Sequence, residues 1–124
     1  MYELIIHDYF SSAHNLQGYK GKCENLHGHN WKVEVVIGCR KLNAIGMAVD
    51  FKILKKYLKS VLDLLDHKYL NEIPYFRKKN PSAENIAEFI YLRLQKPLKS
   101  IKNITLKKVI TWEGQNSGAS FYKK

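Results

Sequence analysis

The segment that decides the fold occupies residues 27–40 and reads HGHNWKVEVVIGCR. From residue 29 onward apolar and charged residues alternate, with Trp31 and Val33 on one parity and Lys32 on the other. Successive side chains of a β-strand point to opposite faces of a sheet. The alternation therefore predicts a strand over residues 29–40 that buries one face.

The same alternation occurs on both sides of this segment. Residues 2–13 place Leu4, Ile6 and Phe10 on one parity, which predicts a first strand. Residues 104–112 and 119–122 alternate again around glycines, which predicts two further strands. The glycine-containing stretch 17–23 predicts a loop between the first two strands.

Two segments between the strand pairs have the period of an α-helix. In residues 51–65 four lysines fall on one side of the predicted helix, and Asp50 stands at the N-cap position. The apolar stripe on the other side consists of Phe51, Leu54, Leu58, Val61, Leu62 and Leu65. A second helix is predicted to begin after its cap Ser82 and to end at Pro97.

The order strand, strand, helix, helix, strand, strand predicts an α+β fold: a four-stranded antiparallel sheet with two helices on one face. Such a sheet has open edges, through which chains can assemble.

Length and composition narrow the class of protein. A chain of 124 residues is expected to form a single domain, 1–124. Two cysteines are too few for a disulfide framework, and no apolar run approaches a membrane span, so we expect a cytoplasmic protein without membrane association. The net charge of +10 fits either solubility or attraction to a polyanion.

Three histidines form a candidate metal site. His27 and His29 stand two residues apart, so on a strand both imidazoles point to the face that carries Trp31. His14 shares the apolar parity of the first strand. Three neutral imidazoles suit Zn²⁺ with one open coordination position. His7 has the opposite parity and is expected to be an exposed bystander.

The neighbouring reactive residues leave alternatives open. Cys23 could be a fourth ligand of a closed site, or a thiolate acting as base. His67 could be oriented by Asp66, or could be a helix C-terminal histidine favoured by the dipole. Taken alone, Glu113 is interpreted as a solvated carboxylate at a strand end. Cys39 is expected to pack as a small apolar residue.

Taken together, the motifs resemble the 6-pyruvoyl-tetrahydropterin synthase family, and most of all its branch of bacterial and archaeal 6-carboxy-tetrahydropterin synthases of queuosine biosynthesis. The matching motifs occur in the family's order along nearly the whole chain. They are FSSAH (10–14), CENLHGH (23–29), GMAVDF (46–51), LDH (65–67), PSAEN (81–85) and WE (112–113).

The resemblance implies a role for each matching residue. Zinc, one ion per subunit, would bind His14, His27 and His29. Cys23 would be the proton-abstracting base, with His67, Asp66 and Glu113 in the acid–base relay. Glu113 would also bind the guanidine-like edge of the pterin, a bidentate pairing that chemistry favours. The implied fold is the tunnelling fold, in which subunits join their sheets into an oligomeric barrel, commonly a homo-hexamer, with sites at subunit interfaces.

The reaction implied by the resemblance is that of a lyase. It converts 7,8-dihydroneopterin triphosphate to 6-carboxy-5,6,7,8-tetrahydropterin, with loss of acetaldehyde and triphosphate. The triphosphate would give the net charge of +10 a second purpose, for which Lys20, Lys22 and the lysine face of the first helix are candidates.

Two residues depart from the family's pattern or extend it. Gly114 stands where many relatives carry Thr or Ser, so one polar pterin contact could be missing. Glu24 follows Cys23 directly. Some relatives have a glutamate in place of the cysteine and form 6-hydroxymethyl-dihydropterin for folate, and some carry Cys-Glu together. Glu24 is thus either a second functional acid near the substrate or a solvent-facing loop acid.

Alternative activities are the 6-hydroxymethyl product and the 6-pyruvoyl product of biopterin synthesis. Outside this class stands a basic, zinc-stabilised nucleic-acid-binding module. The aromatic residues of this chain, however, lie mostly on the strand positions that face the core and do not interleave with the lysines. Nucleic acid is therefore not the expected partner.

Overall fold

The computed structural model describes residues 1–18 and 25–124. Its main elements are β1 (Tyr2–His14), β2 (His27–Cys39), α1 (Phe51–Leu62), α2 (Ala83–Lys99), β3 (Ile104–Trp112) and β4 (Gly118–Phe121). Two short 3-10 turns, Leu70–Glu72 and Pro74–Phe76, lie between the helices. The predicted order of elements is confirmed.

The strands form one antiparallel sheet in the order β1-β2-β3-β4. In the β1–β2 hairpin Ser12 is opposite His29, and His14 is opposite His27. A β-bulge interrupts the β2–β3 register between Val36 and Ile37. The predicted four-stranded antiparallel sheet is confirmed, and its register brings the ends of β1 and β2 together.

The core lies between the helices and one face of the sheet. The predicted parity holds in β2, where Trp31 and Val33 are fully buried. They belong to the same cluster as Leu58 of α1 and Ile90 of α2, both fully buried as well. Burial of such large apolar side chains is the main stabilising term of the fold, about 1.5–3 kcal/mol each.

Side-chain caps fix where both helices begin. Asp50 accepts a hydrogen bond from the backbone N–H of Lys52, and Ser82 accepts one from the N–H of Asn85. Both predicted starts are confirmed.

The ends of the helices differ from the prediction. Helix α1 ends at Leu62, not at residue 65, because the chain then tightens into turns, with the Leu65 N–H bonded to the Leu62 carbonyl. Helix α2 continues through Pro97 to Lys99. A proline in the last turn removes one backbone hydrogen bond, but its fixed φ is helical, so the helix ends two residues later than expected.

The segment after α1 returns to the outer edge of β1. The backbone N–H of His67 donates to the Ser11 carbonyl at 2.6 Å, and that of Ala13 donates to the Lys68 carbonyl at 3.0 Å. His67 adopts a left-handed conformation with φ of 55°. This pairing places Asp66 and His67 beside the end of β1. Within the described ranges, no helix is long and apolar enough to cross a membrane.

Candidate metal centre

The three predicted histidines converge where β1 ends and β2 begins. The ring centroids of His14 and His27 lie 4.6 Å apart, those of His27 and His29 4.6 Å, and those of His14 and His29 5.2 Å. Glu113 completes the group, and one potential ligand atom from each of the four residues lies within 4.8 Å of the others. We call these residues the histidine cluster.

Backbone carbonyls hold two of the rings. His14 Nδ1 lies 2.7 Å from the Pro81 carbonyl oxygen, and His27 Nδ1 lies 2.6 Å from that of Asn25. A carbonyl only accepts, so each Nδ1 carries the proton and each neutral ring keeps the Nε2 lone pair for another partner. This second contact is the one that histidine ligands of metals commonly make.

The Nε2 atoms of His14 and His29 are both buried. Within residues 1–18 and 25–124, neither atom has a hydrogen-bond partner. Glu113 Oε1 lies only 3.0 Å from His29 Nε2, but its direction does not suit a hydrogen bond. Buried polar atoms without partners are costly, so a metal ion that accepts both lone pairs fits this cluster.

The surroundings also favour uncharged imidazoles. Burial lowers the pKa of His14, and the neighbouring His27 and His29 lower it further. Burial likewise lowers the pKa of His29, against the opposing effect of Glu113. A metal binds the neutral ring, so both shifts favour coordination.

The surroundings of Glu113 differ from those expected of a solvated carboxylate at a strand end. It follows β3 on the parity of Val109 and Thr111, both fully buried, and its side chain is 32% exposed and faces His29. The sequence does carry a signal for this position, because alternate residues of a strand share a face and residue 113 continues the buried face of residues 109 and 111.

Asp66 and His67 form a separate pair. His67 Nδ1 lies 3.0 Å from Asp66 Oδ1, which also accepts a hydrogen bond from the Ser11 N–H at 2.9 Å. The Ser11 contact, followed by His67, lowers the pKa of Asp66. His67 lies five residues beyond the last residue of α1, so a dipole interpretation has no support.

The pair does not meet Glu113 within one chain. Strands β1 and β2 lie between them, a separation of roughly 14 Å at three strand spacings. A cleft of about 540 Å³ runs past His67, Tyr69, Ser11 and His29. The expected relay of Asp66, His67 and Glu113 is therefore not assembled by a single subunit.

Several expected residues lie outside the described ranges: Cys23, Glu24, Lys20 and Lys22. Cys39 is buried, as predicted, and its thiol donates to the Lys41 carbonyl. His7 is exposed, as predicted. The supporting carbonyls of Pro81 and Asn25 were missed, since a backbone group has no sequence signal.

A comparison with family models gives a match for residues 3–124. The model is that of 6-pyruvoyl tetrahydropterin synthase. The chain belongs to this family. The prediction of a lyase-type pterin synthase is thereby confirmed.

Curated members of the family carry two different activity names. A 6-carboxy-5,6,7,8-tetrahydropterin synthase of Aquifex aeolicus is 30% identical over 122 residues, covering 81% of this chain and 75% of the relative. The one of Rickettsia typhi is 33% identical over 95 residues, covering 63% and 69%. The 6-pyruvoyl tetrahydrobiopterin synthase of Homo sapiens is 39% identical over 94 residues, covering 73% and 64%.

The fold has a solved counterpart in the same family. The structure of Caenorhabditis elegans 6-pyruvoyl tetrahydropterin synthase matches with a TM-score of 0.87 at 28% identity, covering 99% of this chain and 96% of that one. The expected assignment to the fold of these enzymes is confirmed.

Proposed function

We propose that this chain is a zinc-dependent lyase that converts 7,8-dihydroneopterin triphosphate to 6-carboxy-5,6,7,8-tetrahydropterin, releasing acetaldehyde and triphosphate, in queuosine biosynthesis. Residues 1–124 would form one pterin-synthase-like domain. The observation that carries the proposal is the histidine cluster, in which the buried Nε2 atoms of His14 and His29 have no hydrogen-bond partner among the described residues and lie beside Glu113.

The donor set fits zinc. His14, His27 and His29 would hold the ion, because three neutral imidazole nitrogens with an open fourth position form a common catalytic zinc site. The Nδ1–H contacts of His14 and His27 to carbonyls fix the tautomer that such a site needs. When bound, zinc supplies stabilisation of negative charge developing on the substrate's side-chain oxygens.

Each of the remaining predicted residues has a role in this proposal. The Glu113 carboxylate would accept hydrogen bonds from the guanidine-like edge of the pterin and so orient it beside the cluster. The Cys23 thiolate would remove the carbon-bound proton. Glu24 would act on the substrate as a second acid and influence which bond breaks.

The Asp66–His67 pair is proposed to act at the site of a neighbouring subunit. Asp66 fixes the ring through Nδ1, and 82% of the His67 side chain is exposed, so His67 Nε2 is available to move a proton at another chain's substrate. This arrangement requires an oligomer, and we propose a homo-hexamer whose sheets join into a barrel. Mixing a Cys23→Ala chain with a His67→Ala chain should then restore activity.

The experiment begins with the purified protein and its metal content, measured by elemental analysis. The protein is then incubated with 7,8-dihydroneopterin triphosphate, and products are identified by mass spectrometry with an enzymatic assay for acetaldehyde. We expect about one zinc per chain, the 6-carboxy product and stoichiometric acetaldehyde. Metal-free protein that retains full activity would refute the proposal.

The second candidate is 6-pyruvoyl-tetrahydropterin synthesis, which the human relative supports at 39% identity. A third is formation of 6-hydroxymethyl-dihydropterin, for which Glu24 would be the acid. The same incubation separates the three, because each gives a product of different mass and only the first releases acetaldehyde. Membership of the family favours all three over a nucleic-acid-binding module.

A further inference from the structure

A cleft of about 490 Å³ lies at the end of β2 that is opposite the histidine cluster. From His29 to Cys39 the strand runs ten residues, a length of roughly 33 Å. A small molecule therefore cannot reach both places in one chain. Among the described residues that line this cleft are three cations, Arg40, Lys41 and Lys107, and no aspartate or glutamate. We call these three residues the basic cleft.

A β-bulge sets the direction of Lys107. In the β2–β3 register Val36 is opposite Lys108, and Ile37 is opposite Leu106. Lys107 is therefore the extra residue of the bulge and is opposite no residue of β2. An extra residue of this kind bends its strand and re-aims a side chain. The bulge thus gives Lys107 a direction that a regular strand would not.

The Lys107 side chain lies directly over Gly38 of β2. A Cβ atom at position 38 would be 2.5 Å from Lys107 Cε and 3.3 Å from its Cγ, and Cβ atoms essentially never approach a neighbour closer than 3.0 Å. Only a residue without a side chain leaves room for the lysine to cross the strand here. Replacement of Gly38 should therefore displace Lys107 without removing a charge.

Two turns bring Arg40 and Lys41 to the same end of the sheet. The Cys39 thiol donates to the Lys41 carbonyl at 2.7 Å, which fixes the chain directly after β2. Asn103, with a φ of 68°, directly precedes β3, and the register places Ile104 opposite Cys39. The turn after β2 and the start of β3 are therefore neighbours, and both line the cleft.

The cations of the basic cleft have no acidic partner in the described part of the chain. None of the ion pairs there involves Arg40, Lys41 or Lys107. Glu3 of β1 is opposite Gly38, but it forms no ion pair with them. Three like charges at one cleft repel one another, and a bound polyanion offsets that repulsion.

We propose that the basic cleft binds an oligophosphate, either inorganic or as the phosphate end of a nucleotide. Phosphate oxygens accept charge-assisted hydrogen bonds from both Arg and Lys, and a chain of phosphates carries enough charge to meet three cations at once. The volume of the cleft lies in the range of small-molecule sites. The proposal does not depend on the lyase activity, because the cleft is separate from the histidine cluster.

Isothermal titration calorimetry with inorganic triphosphate and with ATP tests the proposal, on protein dialysed against a chelator to remove metal. We expect saturable binding of one molecule per chain, which weakens as salt screens the charges. Equal affinities would show that the phosphates alone are recognised, and tighter binding of ATP would identify a nucleotide as the ligand. His29→Ala should bind triphosphate like the wild type, which separates this cleft from the histidine cluster.

Matched substitutions separate placement from charge. Lys107→Gln and Arg40→Gln should each weaken triphosphate binding by about tenfold, the scale of one hydrogen bond to a charged group. Gly38→Ala should weaken it similarly, although no charge is removed, because Lys107 must move. Glu3→Gln should strengthen binding, because a nearby negative charge is lost. Lys55→Gln, on α1, removes the same charge as Lys107→Gln and should stay within about twofold of wild type.

Several results would overturn the proposal. If Lys55→Gln weakens binding as much as Lys107→Gln, triphosphate responds only to the net charge of +10. If Gly38→Ala is folded and binds like the wild type, the placement of Lys107 over β2 has no role. Absence of saturable binding, or its loss in His29→Ala, would also refute the site. If Gly38→Ala does not fold, the comparison of Lys107→Gln with Lys55→Gln decides.

Discussion

His14 and Pro81 are joined by a hydrogen bond of 2.7 Å, although 67 positions of sequence separate them. The bond connects the end of β1 to the residue that precedes the cap of α2. It therefore ties the orientation of a proposed ligand to the packing of the helix layer on the sheet. A change at His14 should affect both metal binding and stability, whereas a change at His29 should affect mainly the metal.

The first prediction follows from that difference. His14→Ala and His29→Ala should both lose zinc, but only His14→Ala leaves the Pro81 carbonyl without its donor. In the presence of a chelator, His14→Ala should be less stable than His29→Ala by about 1–3 kcal/mol, the cost of an unsatisfied buried group. Urea unfolding and elemental analysis check this, with exposed His7→Ala as the control. Equal stability of the two apo variants would contradict it.

The second prediction concerns Glu113. Glu113→Gln removes the charge but keeps the shape, so zinc should remain bound by the three histidines. The value of kcat/KM should fall by about a hundredfold, the scale of losing charged hydrogen bonds to the substrate. Metal content and steady-state kinetics measure the two effects. If zinc is lost together with activity, Glu113 is a metal ligand and the substrate-binding role is wrong.

The third prediction concerns Cys23. If Cys23 is the base, its replacement by Ala should lower kcat by about 10²–10⁴-fold and leave zinc bound. If Cys23 is instead a fourth ligand, the Ala variant should lose both bound metal and stability. Cys39→Ser is the comparison, because Cys39 is buried at the other end of β2 and should leave zinc content and kcat near wild type. Zinc released by Cys23→Ala would exclude the proposed mechanism.

The fourth prediction is a pH dependence of stability at a distance from the cluster. Glu88 accepts from Lys79 at 2.8 Å and from the Tyr75 hydroxyl at 2.9 Å. Lys79, followed by Tyr75, lowers the pKa of Glu88 from its usual 4.5. Since the folded pKa is the lower one, the stabilisation is present above pH 4.5 and is lost as the pH falls through the folded pKa.

Glu88→Gln tests this directly. The variant should be slightly less stable than wild type at pH 7, by a margin that salt reduces because the pair is partly exposed. The difference in urea midpoint should vanish at pH values well below 4.5. A difference that persists in acid would show that packing of the side chain, and not its charge, is responsible. Lys55→Gln, on the lysine face of α1, is the control for charge alone.

The layout of the fold could be predicted because its signals are local. Alternating parity placed His27 and His29 with Trp31, and the caps Asp50 and Ser82 marked the starts of both helices. The end of α2 was predicted less accurately than its start. A proline in the last turn of a helix is tolerated when neighbouring residues are already held by packing.

The convergence of the three histidines could be predicted from the sequence, but the groups that hold their rings could not. Parity assigns a histidine to a face, whereas the partners of Nδ1 are backbone carbonyls, one of them 67 residues away. The left-handed conformation of His67 likewise depends on pairing with Ser11, which belongs to a strand far away in sequence. Contacts of this kind are set by tertiary packing, and no short-range pattern reports them.

The hairpin register has a consequence for how this protein could vary. His14 and His27 face each other as strand partners, so the distance between their rings is set by the spacing of the sheet and not by the number of residues joining them. The connection could grow or shrink across evolution without disturbing the two histidines. A single residue gained or lost inside either strand would instead swing one imidazole to the opposite side of the sheet.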